Sequence, residues 1–119
     1  MSSTTPARRI LIVDDDARIT DVLRMMLEGF GYTAEVALTA DDALTKVAAF
    51  HPDLVLLDAG MPGADVLDAL KETAPGIPVL VVTGDPVRAQ AMLLRGAVGC
   101  LAKPFTIEAL RNAVKKILT

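Results

Sequence analysis

The chain of 119 residues has no Trp, only three Phe and one Tyr, one His and one Cys. Each shortage excludes something. One Cys cannot form a disulfide within the chain, and one Cys beside one His cannot build a Cys/His zinc cage. So few rings do not make a base-stacking platform. With 12 Lys+Arg against 15 Asp+Glu, a formal net charge of -3, the basic footprint of a nucleic-acid or anionic-membrane binder is also missing. No apolar run approaches the roughly eighteen residues of a membrane span, and Met1 to Pro6 lacks both the basic start and the hydrophobic stretch of a signal peptide. These absences predict a cytoplasmic domain with no direct contact to nucleic acid or membrane. No repeat, low-complexity segment or Pro/Gly/Ser linker divides the sequence. At this length a folded domain buries roughly two-thirds of its unfolded surface, enough for an independent core. Residues 1–7 are expected to form a flexible N-terminal tail and residues 8–119 a single domain.

What the chain does have is regular alternation. Five short apolar runs, Arg9 to Asp14, Thr33 to Ala37, Leu54 to Asp58, Val79 to Thr83 and Val98 to Leu101, show no lasting polar alternation, as in strands covered on both faces. Helical stripes lie between them: Ile19, Val22, Leu23, Met26 and Leu27, then Ala43, Leu44, Val47 and Ala48, and finally Ile107, Leu110, Val114 and Ile117. Met25-Met26 and Met92-Leu93-Leu94 are expected to serve helix packing. Asp16, Thr39, Asp85 and Thr106 occupy N-cap positions, with Pro86 at the favoured first helical position. Gly31 and Gly96 fall where the chain must leave a helix. Strict βαβαβ order implies an α/β fold: a flavodoxin-like, doubly wound, five-stranded parallel sheet in the order 2-1-3-4-5, with five helices in three α/β/α layers.

In such a sheet, ligands bind beyond the carboxyl ends of the strands, beside the point where strand order reverses. Strand one ends in Asp14-Asp15-Asp16, strand three in Asp58 and strand four in Thr83, while Lys103 follows strand five. Strand two ends in Ala37-Leu38, with nothing reactive. Two unit charges about 4 Å apart repel by roughly 4 kcal/mol at an effective dielectric near 20, and a helix N-terminus returns only about 0.3–1 kcal/mol per anion. A hard divalent cation with oxygen ligands can offset the remainder, and Mg²⁺ (or Mn²⁺) suits a few carboxylates. With the Lys103 ammonium and the Thr83 hydroxyl, the set suits a phosphoryl group, with Asp58 as nucleophile. Asp16 is read as an N-cap, and His51 as a surface or capping residue.

The ordered motifs Ile10-Leu11-Ile12-Val13-Asp14-Asp15-Asp16, Pro52-Asp53-Leu54-Val55-Leu56-Leu57-Asp58 with Met61-Pro62-Gly63, Pro78-Val79-Leu80-Val81-Val82-Thr83-Gly84 and Lys103-Pro104-Phe105 resemble the receiver domain of two-component response regulators, from Arg9 to Leu118. The resemblance implies a receiver domain over residues 8–119, with phosphoryl transfer to Asp58 from a histidine kinase or a histidine phosphotransfer protein. It implies a metal site of Asp14, Asp15, Asp58 and the Gly60 carbonyl, with Asp15 binding directly and Asp14 mainly through a bound water, phosphoryl contacts from Thr83 and Lys103, and a cis bond before Pro104. Gly60 and Asp85 stand at positions that tune phosphoryl lifetime in the family. The output would be a downstream effector protein or a covalently attached output domain outside this chain, and the protein itself a monomer, or a weak dimer through the face of helix four, strand five and helix five.

The sequence departs from the pattern at Cys100, where the family usually carries Tyr or Phe. Without a ring to turn inward, the change on that face is expected to be weak, or carried by the loop after Thr83. Val66 replaces a frequent glycine, and Val98-Gly99 a commoner acidic pair. The resemblance implies a signalling protein rather than an enzyme, one that assists only its own phosphorylation and dephosphorylation. An Asp-nucleophile phosphohydrolase is one alternative, but it would need a second acid where Gly60 stands. A flavin-binding domain would need a Ser/Thr/Gly loop where the three acids lie, and a non-phosphorylated pseudo-receiver would not need the full Asp, Thr and Lys set.

Overall fold

The apolar runs become β1 (Arg9–Val13), β2 (Thr33–Ala37), β3 (Leu54–Asp58), β4 (Val79–Thr83) and β5 (Gly99–Ala102) in a computed structural model that describes residues 7–61 and 63–119. Residues 1–6 of the expected tail and Pro62 of the Met61-Pro62-Gly63 motif lie outside the described residues. The strands pair in parallel in the order β2-β1-β3-β4-β5. They alternate with α1 (Ala17–Gly29), α2 (Ala40–Phe50), α3 (Gly63–Thr73), α4 (Pro86–Leu94) and α5 (Ile107–Leu118).

Successive strand residues point to opposite faces, which splits the core into two layers. Leu11, Val13, Val55, Leu57, Val79 and Val81 pack with residues of α2, α3 and α4, including Val47, Leu67 and Met92. Ile10, Ile12, Leu54, Leu56, Leu80 and Val82 pack with Leu23 and Leu27 of α1 and with Leu110 and Val114 of α5. β3 therefore lies at the centre of the sheet with apolar side chains buried on both faces, and its last residue, Asp58, emerges where that cover ends.

Side chains hold the helix starts. Thr39 accepts from the Asp42 amide, Thr106 from the Ala109 amide, and Asp85 from the Val87 and Arg88 amides; caps of this kind are worth about 1 kcal/mol each. At the C-terminal exits Gly31 and Gly96 have φ of 98° and 105°, a left-handed conformation that glycine adopts without a Cβ penalty. His51, the C-cap of α2, has φ 53°, in keeping with its reading as a capping residue.

Several boundaries and faces differ from the sequence expectation. β1 stops at Val13 because Asp14, whose amide still donates to the Ala37 carbonyl at 3.1 Å, turns its carboxylate back onto the Asp16 amide at 2.9 Å. β5 begins at Gly99 rather than Val98, since the ladder register starts at Leu80↔Gly99. The α1 stripe is rotated: Thr20, Leu23 and Leu27 are buried, whereas Ile19 and Val22 are exposed and line an apolar groove of about 510 Å³ with Met26, Pro104 and Phe105. Met25, Leu93, Leu94 and Ile107 are likewise exposed, and so is Ala48. Among the described residues, α4 buries Met92 alone.

Candidate functional site

The carboxyl ends of β1 and β3 bring three acids together. Asp14, Asp15 and Asp58 each offer one carboxylate oxygen, and these oxygens lie within 4.8 Å of one another. Asp14 is 4 % exposed. Burial, first, and the nearby Asp58 and Asp15 charges raise its pKa above the ordinary 3.8, against the opposing effects of the Asp16 amide and Lys103. Asp16 stands apart from the cluster: its Oδ1 accepts from the Arg18 amide at 3.0 Å, and that bond with the Arg18 side chain lowers its pKa. The structure thus uses it as the helix cap.

Asp58 Oδ1 accepts from the Gly60 amide at 3.2 Å and faces Lys103 Nζ at 3.3 Å. A Cβ on Gly60 would stand 3.1 Å from Asp58 Oδ2, so any side chain there would crowd that oxygen. Thr83 ends β4, is 8 % exposed and accepts the Asp85 amide at its hydroxyl oxygen, 3.1 Å away, which leaves the hydroxyl proton free to donate. Its carbonyl accepts from the Lys103 amide at 3.0 Å, setting the Lys103 backbone beside Thr83. The Lys103-Pro104 peptide bond is cis. The Asp85 carboxylate is occupied in capping α4.

The donor set is all oxygen and its charge is anionic, which suits Mg²⁺ or Mn²⁺. Asp14, Asp15 and Asp58 would hold such an ion, since their oxygens lie within 4.8 Å of one another and hard divalent cations take carboxylate oxygens. The raised pKa of Asp14 has a consequence for stability. The fold favours its neutral form, so this contribution is full below pH 3.8 and is lost as pH rises through the raised native value. At neutral pH without divalent metal the ionised Asp14 therefore costs stability, and Asp14→Asn, which keeps the oxygen facing the Asp16 amide, is expected to melt higher than wild type in EDTA. That gap should close under acid and shrink when Mg²⁺ is added. Thermal melts at both pH values check this, and a lower melting temperature for the variant at neutral pH would contradict it.

Cys100 lies behind Thr83, not among the reactive groups. Its Sγ donates to the Ala89 carbonyl of α4 at 3.4 Å, and burial raises its pKa, so it is held as a thiol. Where a ring was expected there is a cavity of about 240 Å³ bordered by Thr83, Ala89, Leu93 and Cys100. One contact escaped the sequence reading: Arg88 Nη1 donates to the Ala59 carbonyl at 2.7 Å. A trace of it was present, since Arg88 is a cation in the first turn of a helix, where the helix dipole disfavours positive charge by about 0.3–1 kcal/mol. A second arginine, Arg95, joins the other end of α4 to Asp68 of α3 at 2.5 Å.

Among known proteins, residues 10–115 match the response regulator receiver domain family. The chain is 37% identical over 111 residues to the nitrogen assimilation regulatory protein NtrX of Azorhizobium caulinodans, covering 87% of this chain and 24% of that protein. It is 39% identical over 115 residues to the response regulator MprA of Mycolicibacterium vanbaalenii, covering 92% and 50%. It therefore spans half or less of these curated relatives. The crystal structure of a response regulator signal receiver domain from Bermanella marisrubri superposes with a TM-score of 0.89 at 32% identity, covering 96% of this chain and all of that one.

Proposed function

Given that this chain belongs to the response regulator receiver domain family of two-component signalling, we propose that Asp58 is its phosphoacceptor and that the state of Asp58 is read out through the loop after Thr83. The observation that carries this is the pairing of Asp58 Oδ1 with Lys103 Nζ at 3.3 Å, beside the oxygens of Asp14 and Asp15. A lone structural carboxylate would need neither the lysine nor the two further acids.

In the proposed reaction an Asp58 oxygen attacks the phosphorus of a phosphohistidine in a histidine kinase or a histidine phosphotransfer protein. The new O–P bond forms as the P–N bond breaks, and the imidazole leaves with the electron pair. Lys103 moves from the carboxylate to the phosphoryl oxygens, and the Thr83 hydroxyl donates to one of them. Asp14, Asp15, Asp58 and the Gly60 carbonyl would hold Mg²⁺ or Mn²⁺, whose chemistry is the neutralisation of charge on the transferring group. Gly60 leaves open space next to the acyl phosphate, while Asp85 is engaged as a cap, and these two positions set how readily water removes the group. The chain assists its own phosphorylation and dephosphorylation and turns over no other substrate. Its output passes to an effector protein or to an attached module outside these residues.

Incubation with Mg²⁺ and acetyl phosphate, followed by intact mass measurement, is expected to show one added phosphoryl group. EDTA should slow its appearance at least about 100-fold, because a metal ion supplies several kcal/mol of charge stabilisation to such transfers. An adduct that forms equally fast in EDTA would remove the metal from the scheme, and no adduct in Mg²⁺ would remove the scheme itself.

A further inference from the structure

The geometry points to Arg88 as the residue that couples phosphorylation of Asp58 to the position of α4, an inference that rests on the phosphoacceptor reading above. Its guanidinium donates to the carbonyl of Ala59 at 2.7 Å, and Ala59 is the residue between the phosphoacceptor and Gly60. Ala59 is buried and its amide donates to the Val82 carbonyl at 3.1 Å, so this anchor belongs to the rigid end of the sheet. The Arg88 amide donates to Asp85 Oδ1 at 3.4 Å, and the Asp85 amide donates to the Thr83 hydroxyl oxygen at 3.1 Å. Arg88 therefore closes a circuit that runs from the backbone beside Asp58, through the first turn of α4, to Thr83. One end of that circuit is the residue next to the phosphoacceptor, and the other, the Thr83 hydroxyl, is a donor that a phosphoryl group on Asp58 would engage.

The direction of the change follows from the acceptors. A carbonyl is neutral. An aspartyl phosphate places a charge of about -1.5 to -2 and three strong acceptor oxygens one residue away, and hydrogen bonds between ionised partners are roughly twice as strong as those to neutral ones. Arg88 has five donors in a planar fork that suits such oxygens. It exchanges the Ala59 carbonyl for the phosphoryl group, and the first turn of α4 follows its side chain. The cavity of about 240 Å³ bordered by Thr83, Ala89 and Cys100 leaves that turn free of a ring on the β5 side. The guanidinium thus does from α4 what an aromatic side chain at position 100 would have done from β5.

The test is a titration of the ¹⁵N-labelled full chain with beryllofluoride and Mg²⁺, followed by NMR for wild type, Arg88→Ala and Arg88→Lys. Arg88 is exposed, and an unchanged amide spectrum outside α4 establishes that each variant is folded. In wild type the Arg88 Nε–Hε signal and the amides of residues 84, 85 and 87–89 should move, with small changes along α5. Arg88→Ala should bind beryllofluoride about tenfold more weakly, about 1.4 kcal/mol, and its amides at 84, 85 and 87–89 should stay near their free positions while those of Gly60 and Lys103 still move. Arg88→Lys should recover part of the affinity and little of the α4 response, because an ammonium supplies the charge without the fork. A purely structural Arg88 would give none of this pattern. Wild-type affinity and wild-type α4 shifts in Arg88→Ala, or an Arg88 Nε–Hε signal that stays still in wild type, would overturn the inference. A wild-type chain with no beryllofluoride response at all would overturn the phosphoacceptor reading first, and this one with it.

Discussion

Asp58→Asn is expected to gain no phosphoryl mass under conditions in which wild type gains one. The loss should be complete, because an amide oxygen has neither the charge nor the basicity to displace a phosphoryl leaving group. The variant keeps the shape of the side chain and the acceptor facing the Gly60 amide at 3.2 Å. It loses the pair with Lys103, but that lysine is 37% exposed, and ion pairs open to solvent contribute only about 0–1 kcal/mol. Removing one of three clustered carboxylates relieves repulsion in partial compensation. The fold should therefore survive, and a thermal melt close to that of wild type separates lost chemistry from lost structure. An undiminished adduct in Asp58→Asn would place the phosphoryl group on another side chain and end the assignment.

The largest expected effect on stability is at Leu56. It sits on the central strand, in register with Ile12 on one side and Leu80 on the other, and is 1% exposed in the layer shared with α1 and α5. Neighbours fixed in a hydrogen-bonded sheet cannot collapse into the space left by Leu56→Ala, so both the lost burial and the cavity count. Together these cost about 2–5 kcal/mol, a large share of the roughly 5–15 kcal/mol that holds a domain folded. The melting temperature should fall by roughly 10–20 °C, while phosphoryl uptake measured well below that temperature should persist. Chemical denaturation checks the figure, and a loss under about 1 kcal/mol would mean that the layer repacks far more freely than a rigid sheet allows.

The fold was legible because each face of the sheet is covered, so the strands stand out as apolar runs, and because Asp16, Thr39, Asp85 and Thr106 mark helix starts by a local hydrogen bond that sequence spacing reveals. The assembly of the acids was legible for a related reason: in a doubly wound sheet, whatever ends β1, β3 and β4 must meet. The missing part was orientation. Periodicity groups Ile19 and Val22 with Leu23 and Leu27, but where the sheet's edge leaves the helix uncovered depends on the rotation of α1, and that is set by tertiary packing. The bond from Arg88 to the Ala59 carbonyl, across 29 positions, had no identifiable acceptor, since any residue carries a carbonyl. Only the awkward placement of a cation at a helix start hinted at it.

Among the described residues Met92 is the one buried side chain of α4, so the apolar part of the free energy of moving that helix is small beside the polar ties from Arg88 and Arg95. Fully exposing a methionine side chain costs about 1.5–3 kcal/mol, and a partial displacement costs less. Conformational equilibria that a ligand can reverse are separated by a few kcal/mol, and α4 falls within that range, whereas α1, with Thr20, Leu23 and Leu27 buried, is held more firmly. On the proposed reading of Asp58 as phosphoacceptor, the thin apolar anchorage of α4 singles it out as the element that one added phosphoryl charge would shift without unfolding the rest.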